Sequence, residues 1–139
     1  MSPFSWPVRI YWEDTDAGGV VYYANYLRYL ERARTEWLRA QGVDQSRLAA
    51  EHGVLFMVLA VNVEYKAPAR LDDRLLVTCE AVPDGRTTVI FQQRIYKEGR
   101  TEEGSTAGAE RELLIEATVR VVCLDGRTMR PRRIAEYLP

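Results

Sequence analysis

The residues best suited to chemistry lie in one short acidic loop near the start of the chain. Asp14 and Asp16 are two positions apart, and Gly18-Gly19 follow them closely. Residues 20–26 then lead into a stretch with helical periodicity. Paired glycines let the backbone come close to a ligand, and the first N–H groups of a helix have no partner within the helix.

A carboxylate beside such a helix start is the minimum equipment for acyl transfer. The unpaired N–H groups and the positive end of the helix dipole form a site for negative charge that develops on an oxygen. The dipole also favours the ionised form of Asp16. A carboxylate held there can attack a carbonyl or activate water. Spacing alone nevertheless favours a simpler interpretation, in which Asp14 and Asp16 only accept hydrogen bonds from turn amides.

Other uses of this loop fit the sequence less well. An EF-hand counted from Asp14 has Gly18 at its fifth position and Asn25 at its twelfth, so the bidentate carboxylate that calcium needs is missing. A phosphoaspartate enzyme would need the rest of a large α/β phosphatase chain. We therefore expect no metal in this loop.

The only histidine, His52, limits the alternative chemistries. Any histidine-based triad or zinc site would have to include it. It lies at a predicted helix end, where a cation interacts favourably with the dipole, so we expect a capping role. The chain has no G-x-S-x-G turn, no G-x-G-x-x-G and no Walker loop.

The elements that must position the acidic loop are a strand before it and a helix after it. The partial alternation of residues 8–12 predicts a first strand. Apolar residues three or four apart predict the longest helix over 25–41. Asn25 is its expected N-cap, and Gly42 is expected in the left-handed conformation after its end. A short second helix is predicted around 45–50.

The rest of the chain has the composition of strands. Four stretches rich in β-branched and aromatic residues are bounded by turn residues. They span 54–65, 74–82, 87–96 and 113–123. A strand, a long helix and four further strands predict an α+β fold, in which an antiparallel sheet has one face covered by the helix. Since one helix covers only one face, the remaining apolar surface or edge predicts a homo-oligomer.

Size and composition are those of one globular domain. The 139 residues are 47% hydrophobic and 28% charged, which predicts a single domain over 1–139. The formal net charge of -1 gives no support to nucleic-acid binding. No apolar run approaches the ~20 residues that cross a bilayer, so we expect no membrane insertion. Without a signal-peptide pattern we expect a cytoplasmic protein, with Cys79 and Cys123 as buried thiols.

Several motifs resemble those of a known family. The longest is YWEDTDAGGVVYYANY at 11–26, followed by LERARTE at 30–36. Weaker matches are VEY at 63–65, APARLDD at 67–73 and VVCLD at 121–125. Together they resemble the hotdog-fold acyl-CoA thioesterases of the 4-hydroxybenzoyl-CoA thioesterase type. Within that type the sequence is most similar to the YbgC-like thioesterases associated with the Tol–Pal system.

The resemblance implies a fold, an assembly and an activity. The fold is a long central helix wrapped by a five-stranded antiparallel sheet. Two subunits pair their sheets edge to edge, dimers often associate into homotetramers, and active sites lie between subunits. The implied reaction converts a short-chain aliphatic or aromatic acyl-CoA to free acid and CoA. It needs no cofactor, because coenzyme A is part of the substrate, and an acyl carrier protein is a further partner to consider.

The resemblance also implies roles for individual residues. Asp16 matches the family's catalytic aspartate, as nucleophile or general base, and Tyr23 matches the residue whose backbone N–H polarises the thioester carbonyl. Residues implied to bind substrate are Gly19, Val20, Tyr22, Lys66, Arg70 and Arg86. Arg86 is the best match to the basic side chains near the CoA phosphates, although each of the three cations is equally well explained as surface charge. Tyr22, Tyr26 and Trp37 are candidates for the acyl pocket, but core packing suits Trp37 better.

Two departures from the YbgC-like pattern leave alternatives open. Tyr23 stands where those members commonly carry histidine and members acting on aromatic thioesters can have tyrosine, so the acyl group is undecided. The polar segment 98–112 is predicted as a long hairpin loop, and its part 99–111 is longer than usual. A non-catalytic binder of acyl-CoA or acyl carrier protein is one alternative, against which the retained Asp16 argues. A hotdog dehydratase would pair histidine with an acid, and His52 lies outside the aspartate motif.

Overall fold

The computed structural model describes residues 4–99 and 110–138, which form five strands and two α-helices. In chain order these are β1 (Phe4–Arg9), α1 (Asn25–Ala40), α2 (Gln45–His52), β2 (Val54–Tyr65), β3 (Arg74–Asp84), β4 (Thr88–Glu98) and β5 (Arg111–Asp125). Short 3-10 turns occur at Trp12–Asp14 and Ile134–Glu136. No helix within the described ranges is long and apolar enough to cross a membrane.

The strands form one antiparallel sheet in the order β1-β3-β4-β5-β2. Strand β2 pairs with β5 from Val54 opposite Asp125 to Tyr65 opposite Ile115, with a bulge near 58–60. Among residues 4–99 and 110–138, only one side of β2 is therefore paired, and this long strand is an edge of the described sheet. The predicted α+β arrangement is confirmed, and the predicted strand 54–65 has the observed bounds.

Helix α1 covers one face of this sheet. Its side chains Tyr29, Leu30 and Ala33 are fully buried and pack in one cluster with residues of β1, β3, β4 and β5. Full burial of a side chain such as Leu30 contributes about 1.5–3 kcal/mol. Near the end of the helix, Trp37 packs edge to face on Phe91 with ring centroids 5.7 Å apart, which confirms its predicted role in core packing.

The predicted first strand was wrong in its bounds. Strand β1 covers Phe4–Arg9, and the chain then leaves the sheet for the 3-10 turn Trp12–Asp14. The reason is a hydrogen bond from the Tyr11 N–H to the Asp14 carboxylate, at 2.7 Å, which closes the turn. An alternation pattern carries no information about such a bond.

The expected N-cap of α1 was also wrong. Asn25 is the first residue of the helix, and the N-cap is Ala24, whose backbone is helical (φ -73°, ψ -20°). Gly42 follows the helix with φ 84°, as predicted. Helix α2 extends two residues beyond the prediction and ends at His52, before the left-handed Gly53.

Two further predictions concern the connection between β4 and β5 and the two cysteines. Glu98 pairs with Arg111, so β4 and β5 form the predicted hairpin, while residues 100–109 of its loop lie outside the described residues. Cys79 and Cys123 are both buried and free, as expected. Burial raises the pKa of the Cys79 thiol to about 12, so it packs as a neutral group.

Candidate active site

Residues 14–22 fold back on themselves as a small hairpin, here called the acidic hairpin. The Asp16 N–H donates to the Val20 carbonyl at 2.9 Å, and the Tyr22 N–H donates to the Asp14 carbonyl at 3.0 Å. At the tip, the Gly19 N–H donates to the Asp16 carbonyl at 3.0 Å. Gly19 has φ 79°, a conformation in which a side chain is strained, so the turn favours glycine here.

The Asp16 carboxylate is exposed on this hairpin. Its Oδ1 accepts a hydrogen bond from the Gly18 N–H at 2.8 Å, and no other donor in the described part of the chain reaches the carboxylate. A Cβ at position 18 would lie 3.1 Å from that oxygen, so glycine lets the carboxylate sit against the backbone. One amide thus orients the group while its second oxygen is left open.

The start of α1 directs a backbone donor outwards. The Asn25 N–H donates to the Tyr22 carbonyl at 2.9 Å, which fixes the peptide between residues 22 and 23. Because a trans peptide points its N–H opposite to its carbonyl, the Tyr23 N–H points away from that bond. It donates to no acceptor among residues 4–99 and 110–138, and Ala24 has no side chain to cap the helix. This end of α1 therefore retains a free donor beside the positive end of the dipole.

The acidic hairpin is fastened to the loop that follows β2. The Val21 N–H donates to the Ala69 carbonyl at 2.9 Å, and Val20 forms an isolated bridge with Arg70. The Ala69 N–H in turn donates to the Tyr26 hydroxyl at 3.0 Å. Tyr26 is buried in the core, and this burial raises its pKa, so its ring does not line an open pocket in the single chain.

Three exposed tyrosines surround the start of α1. The rings of Tyr22 and Tyr23 lie 5.0 Å apart, and those of Tyr23 and Tyr65 lie 6.3 Å apart. The Tyr65 hydroxyl donates to the Tyr23 carbonyl at 3.1 Å. Sequence analysis assigned no role to Tyr65, although it lies in the VEY motif. Since Tyr65 ends the edge strand β2, this aromatic surface adjoins both the acidic hairpin and the free sheet edge.

Comparison with known proteins shows the family of this chain. A model of the thioesterase-like superfamily matches residues 10–138. The chain belongs to the thioesterase-like superfamily. It is 49% identical over 135 residues to the acyl-CoA thioester hydrolase YbgC of Escherichia coli O157:H7, covering 97% of this chain and 92% of that protein. It is 41% identical over 128 residues to the acyl-CoA thioesterase YbgC of Haemophilus influenzae, covering 92% and 85%. The predicted YbgC-like resemblance is confirmed.

Solved structures confirm the hotdog fold for this thioesterase-like chain. A variant of 4-hydroxybenzoyl-CoA thioesterase complexed with 4-hydroxybenzoyl-CoA matches with a TM-score of 0.82 at 22% identity, covering 96% of this chain and 94% of that one. A probable thioesterase from Bartonella henselae matches with a TM-score of 0.79 at 26% identity, covering 95% and 98%.

The predicted cations of this thioesterase-like domain fall into two places. Arg70 lies next to the acidic hairpin through its bridge to Val20. Lys66 directly follows β2 and forms an exposed ion pair with Glu64 at 3.6 Å. Both lie on the loop to which the hairpin is fastened, and of the two it is Arg70 that contacts the hairpin directly.

Arg86 lies at the opposite end of α1. It borders a cavity of about 630 Å³ together with Trp37 and Arg133. Trp37 is fourteen residues after Tyr23, which corresponds to ~20 Å along a helix. Arg86 is therefore remote from Asp16 within one chain. Arg133 was missed by sequence analysis, because tertiary contacts, among them the hydrogen bond from the Ile134 N–H to the Arg86 carbonyl at 2.9 Å, bring the two segments together.

The remaining candidate for chemistry, His52, is separate from this region. It is exposed at the end of α2, its carbonyl accepts a hydrogen bond from Arg132 at 2.9 Å, and its ring lies 6.0 Å from that of Tyr137. Within the described ranges, no group of three or more His, Cys, Asp or Glu residues could hold a metal ion.

Proposed function

We propose a mechanism and a substrate range for this protein, which is an acyl-CoA thioester hydrolase by its family and by its 49% identity to YbgC over most of the chain. In the proposed mechanism the thioester carbonyl oxygen rests against the Tyr23 N–H. The Asp16 carboxylate acts on the acyl carbon or on a water molecule beside it. The observation that carries the proposal is the acidic hairpin, which connects Asp16 directly to the turn that frees the Tyr23 N–H.

The two possible roles of Asp16 give different bond changes. As nucleophile, its carboxylate attacks the acyl carbon, the carbon–sulfur bond breaks to release CoA thiolate, and water then hydrolyses the mixed anhydride. As general base, it takes a proton from the water that attacks the same carbon. In both cases the Tyr23 N–H stabilises the oxyanion, and one such donor contributes about 10²–10³ in rate. Single turnover in ¹⁸O-labelled water separates the roles, because only the nucleophile gains label in Asp16.

We propose that the working form is a homodimer paired through β2, or a homotetramer of two such dimers. Large apolar side chains are exposed along this strand: Leu55, Met57, Val58, Leu59, Val61 and Tyr65. An unpaired edge of this length and composition invites another strand, and antiparallel pairing of β2 with itself is compatible with two-fold symmetry. The tyrosines around the start of α1 would then face the partner, so that the site lies between subunits.

The proposed dimer also bears on which of the two groups of cations binds the CoA phosphates. The start of β2 packs near the end of α1, and Tyr65 at its other end contacts Tyr23. Antiparallel pairing would set the start of one β2 beside the end of the other, so the Arg86 cavity of one subunit would lie on the same side as Asp16 of its partner. We propose that Arg86 and Arg133 bind CoA phosphates there, with Lys66 and Arg70 as the alternative pair.

The substrate range is proposed to be short-chain aliphatic and aromatic acyl groups. The exposed rings of Tyr22, Tyr23 and Tyr65 support this range, because aromatic surfaces pack well against flat or short apolar groups. The backbone of Gly19 and Val20 would adjoin the acyl carbon. An acyl carrier protein as partner, the absence of a cofactor and a cytoplasmic location stay predictions.

The decisive experiment is release of free thiol from a panel of acyl-CoAs by the purified protein. We expect release with short aliphatic or aromatic acyl groups, accompanied by an equal amount of free acid. Tight binding of acyl-CoA without thiol release would instead support the alternative, a non-catalytic acyl-CoA or acyl carrier protein binder.

A further inference from the structure

We propose that Asn25 is a positioning residue that fixes the position of the Asp16 carboxylate relative to the Tyr23 N–H. This inference rests on the proposed function, since it concerns the geometry of the same site. Asn25 lies next to the turn that bears the backbone donor, and its side chain reaches eleven positions back along the chain into the acidic hairpin.

The contacts of Asn25 join the two halves of the site. Its Nδ2 donates to the Asp14 carbonyl at 2.9 Å, in a partly buried position. That carbonyl also accepts the Tyr22 N–H at 3.0 Å, within the hairpin that carries Asp16. The backbone N–H of Asn25 donates to the Tyr22 carbonyl at 2.9 Å, which orients the peptide bearing the Tyr23 N–H. One residue thus holds the carboxylate-bearing hairpin with its side chain and the amide donor with its backbone.

The position of Asn25 in the helix supports a role other than helix stability. Asparagine is favourable at the N-cap, where its side chain accepts a hydrogen bond from the first turn. Here it occupies the first helical position, α1 has no side-chain cap, and the amide acts as a donor to a separate segment. Departures from local preference of this kind are expected where a site is built.

A variant of the same shape separates positioning from stability. Asn25→Asp replaces the Nδ2 donor by a carboxylate oxygen that faces the Asp14 carbonyl, so the hydrogen bond between the two residues is lost. A carboxylate in the first turn interacts favourably with the helix dipole, which offsets the lost hydrogen bond, so the melting temperature is expected to change little. We expect kcat to fall about 30- to 100-fold while KM changes less than about threefold, because misplacement by about 1 Å costs up to 10² in rate.

A neutral variant and a matched control complete the kinetic test. Asn25→Leu removes the donor without adding charge near Asp16, so both Asn25 variants must lose kcat. The control is Gln45→Leu, which removes a side-chain amide bond to the Thr35 hydroxyl, at 3.4 Å, near the other end of α1. Its kcat is expected to match the wild type. Asn25→Asp protein that keeps wild-type kcat would overturn the positioning role.

Hydrogen exchange tests, without relying on turnover, whether the Asn25 side chain holds the acidic hairpin. The amides of Asp16 and Tyr22 close the acidic hairpin, so their exchange is expected to accelerate at least tenfold in Asn25→Leu, an order-of-magnitude effect of losing one partly buried hydrogen bond. Amides of β4 and β5 should exchange as in the wild type. Unchanged protection of Asp16 and Tyr22 would overturn the inference. If the wild type released no thiol, the proposed mechanism would fail, whereas exchange would still decide whether Asn25 holds the hairpin.

Discussion

The starts of the two helices are built in opposite ways. The N-cap of short α2 is Asp44, whose backbone is extended (φ -108°, ψ 114°) and whose carboxylate accepts the N–H groups of Ser46 and Arg47 at 3.0 and 3.3 Å. The N-cap of long α1 is Ala24, which is helical in backbone and offers no side-chain acceptor. A helix of eight residues needs its cap, whereas packing of an apolar face stabilises a long one. The start of α1 is therefore available to a ligand.

The largest effect on stability is expected from the buried face of α1. Leu30 is fully buried, so Leu30→Ala should lower the free energy of unfolding by about 2–5 kcal/mol. Leu48 in α2 is only partly buried, and Leu48→Ala should cost clearly less. Urea denaturation of both variants measures the difference. Equal losses would contradict the view that packing alone stabilises α1.

The next effect is expected at the cap of α2. Asp44→Ala removes the acceptor for two backbone N–H groups, so it should lower the melting temperature, as loss of an N-cap does in general. Thiol release by this variant should stay at the wild-type level, because Asp44 lies at the opposite end of α1 from the acidic hairpin of its own chain and belongs to none of the proposed substrate contacts. Thermal unfolding and a turnover assay check the two halves of this prediction, and a loss of activity at unchanged stability would refute it.

Acidification should weaken the same cap. Hydrogen bonds from Ser46 and Arg47 lower the pKa of the Asp44 carboxyl. Its contribution to stability is therefore complete above the unfolded-state pKa of about 4 and is lost as the pH falls through the lower folded-state value. Asp44→Asn keeps a capping oxygen but does not titrate, so its melting temperature should depend less on pH below about 4. If the melting temperatures of variant and wild type fell equally with pH, the Asp44 carboxylate would not be responsible for the loss of stability in acid.

The smallest effect is expected when a capping residue is placed at the start of α1. Ala24→Ser supplies a hydroxyl, but the helical backbone of Ala24 does not direct it to the first-turn N–H groups, as an extended N-cap would. Stability should change by less than about 0.5 kcal/mol, as for surface substitutions in general. If Ala24→Ser instead gained as much stability as Asp44→Ala loses, the missing cap of α1 would be due to the residue type at position 24 and not to its helical backbone.

Patterns that are local in sequence predicted the fold well. Strand β2 was predicted with its observed bounds because its apolar run ends at clear turn residues, and α1 because its apolar spacing matches a helical face. The site was predicted less completely. The turn closed by Tyr11 and Asp14 depends on a side-chain acceptor, and the bond from Asn25 to Asp14 crosses eleven positions. The proximity of Arg133 to Arg86 is created by tertiary structure alone.

The measurement that tests the account most directly is turnover by Asp16→Asn. The variant keeps an oxygen to accept the Gly18 N–H, so folding and acyl-CoA binding should be unchanged, while thiol release falls by at least ~10² because the charged group is lost. Asp72→Asn serves as control, since it removes an exposed carboxylate at a left-handed position (φ 71°) that asparagine also tolerates. Wild-type turnover by Asp16→Asn would contradict the mechanism.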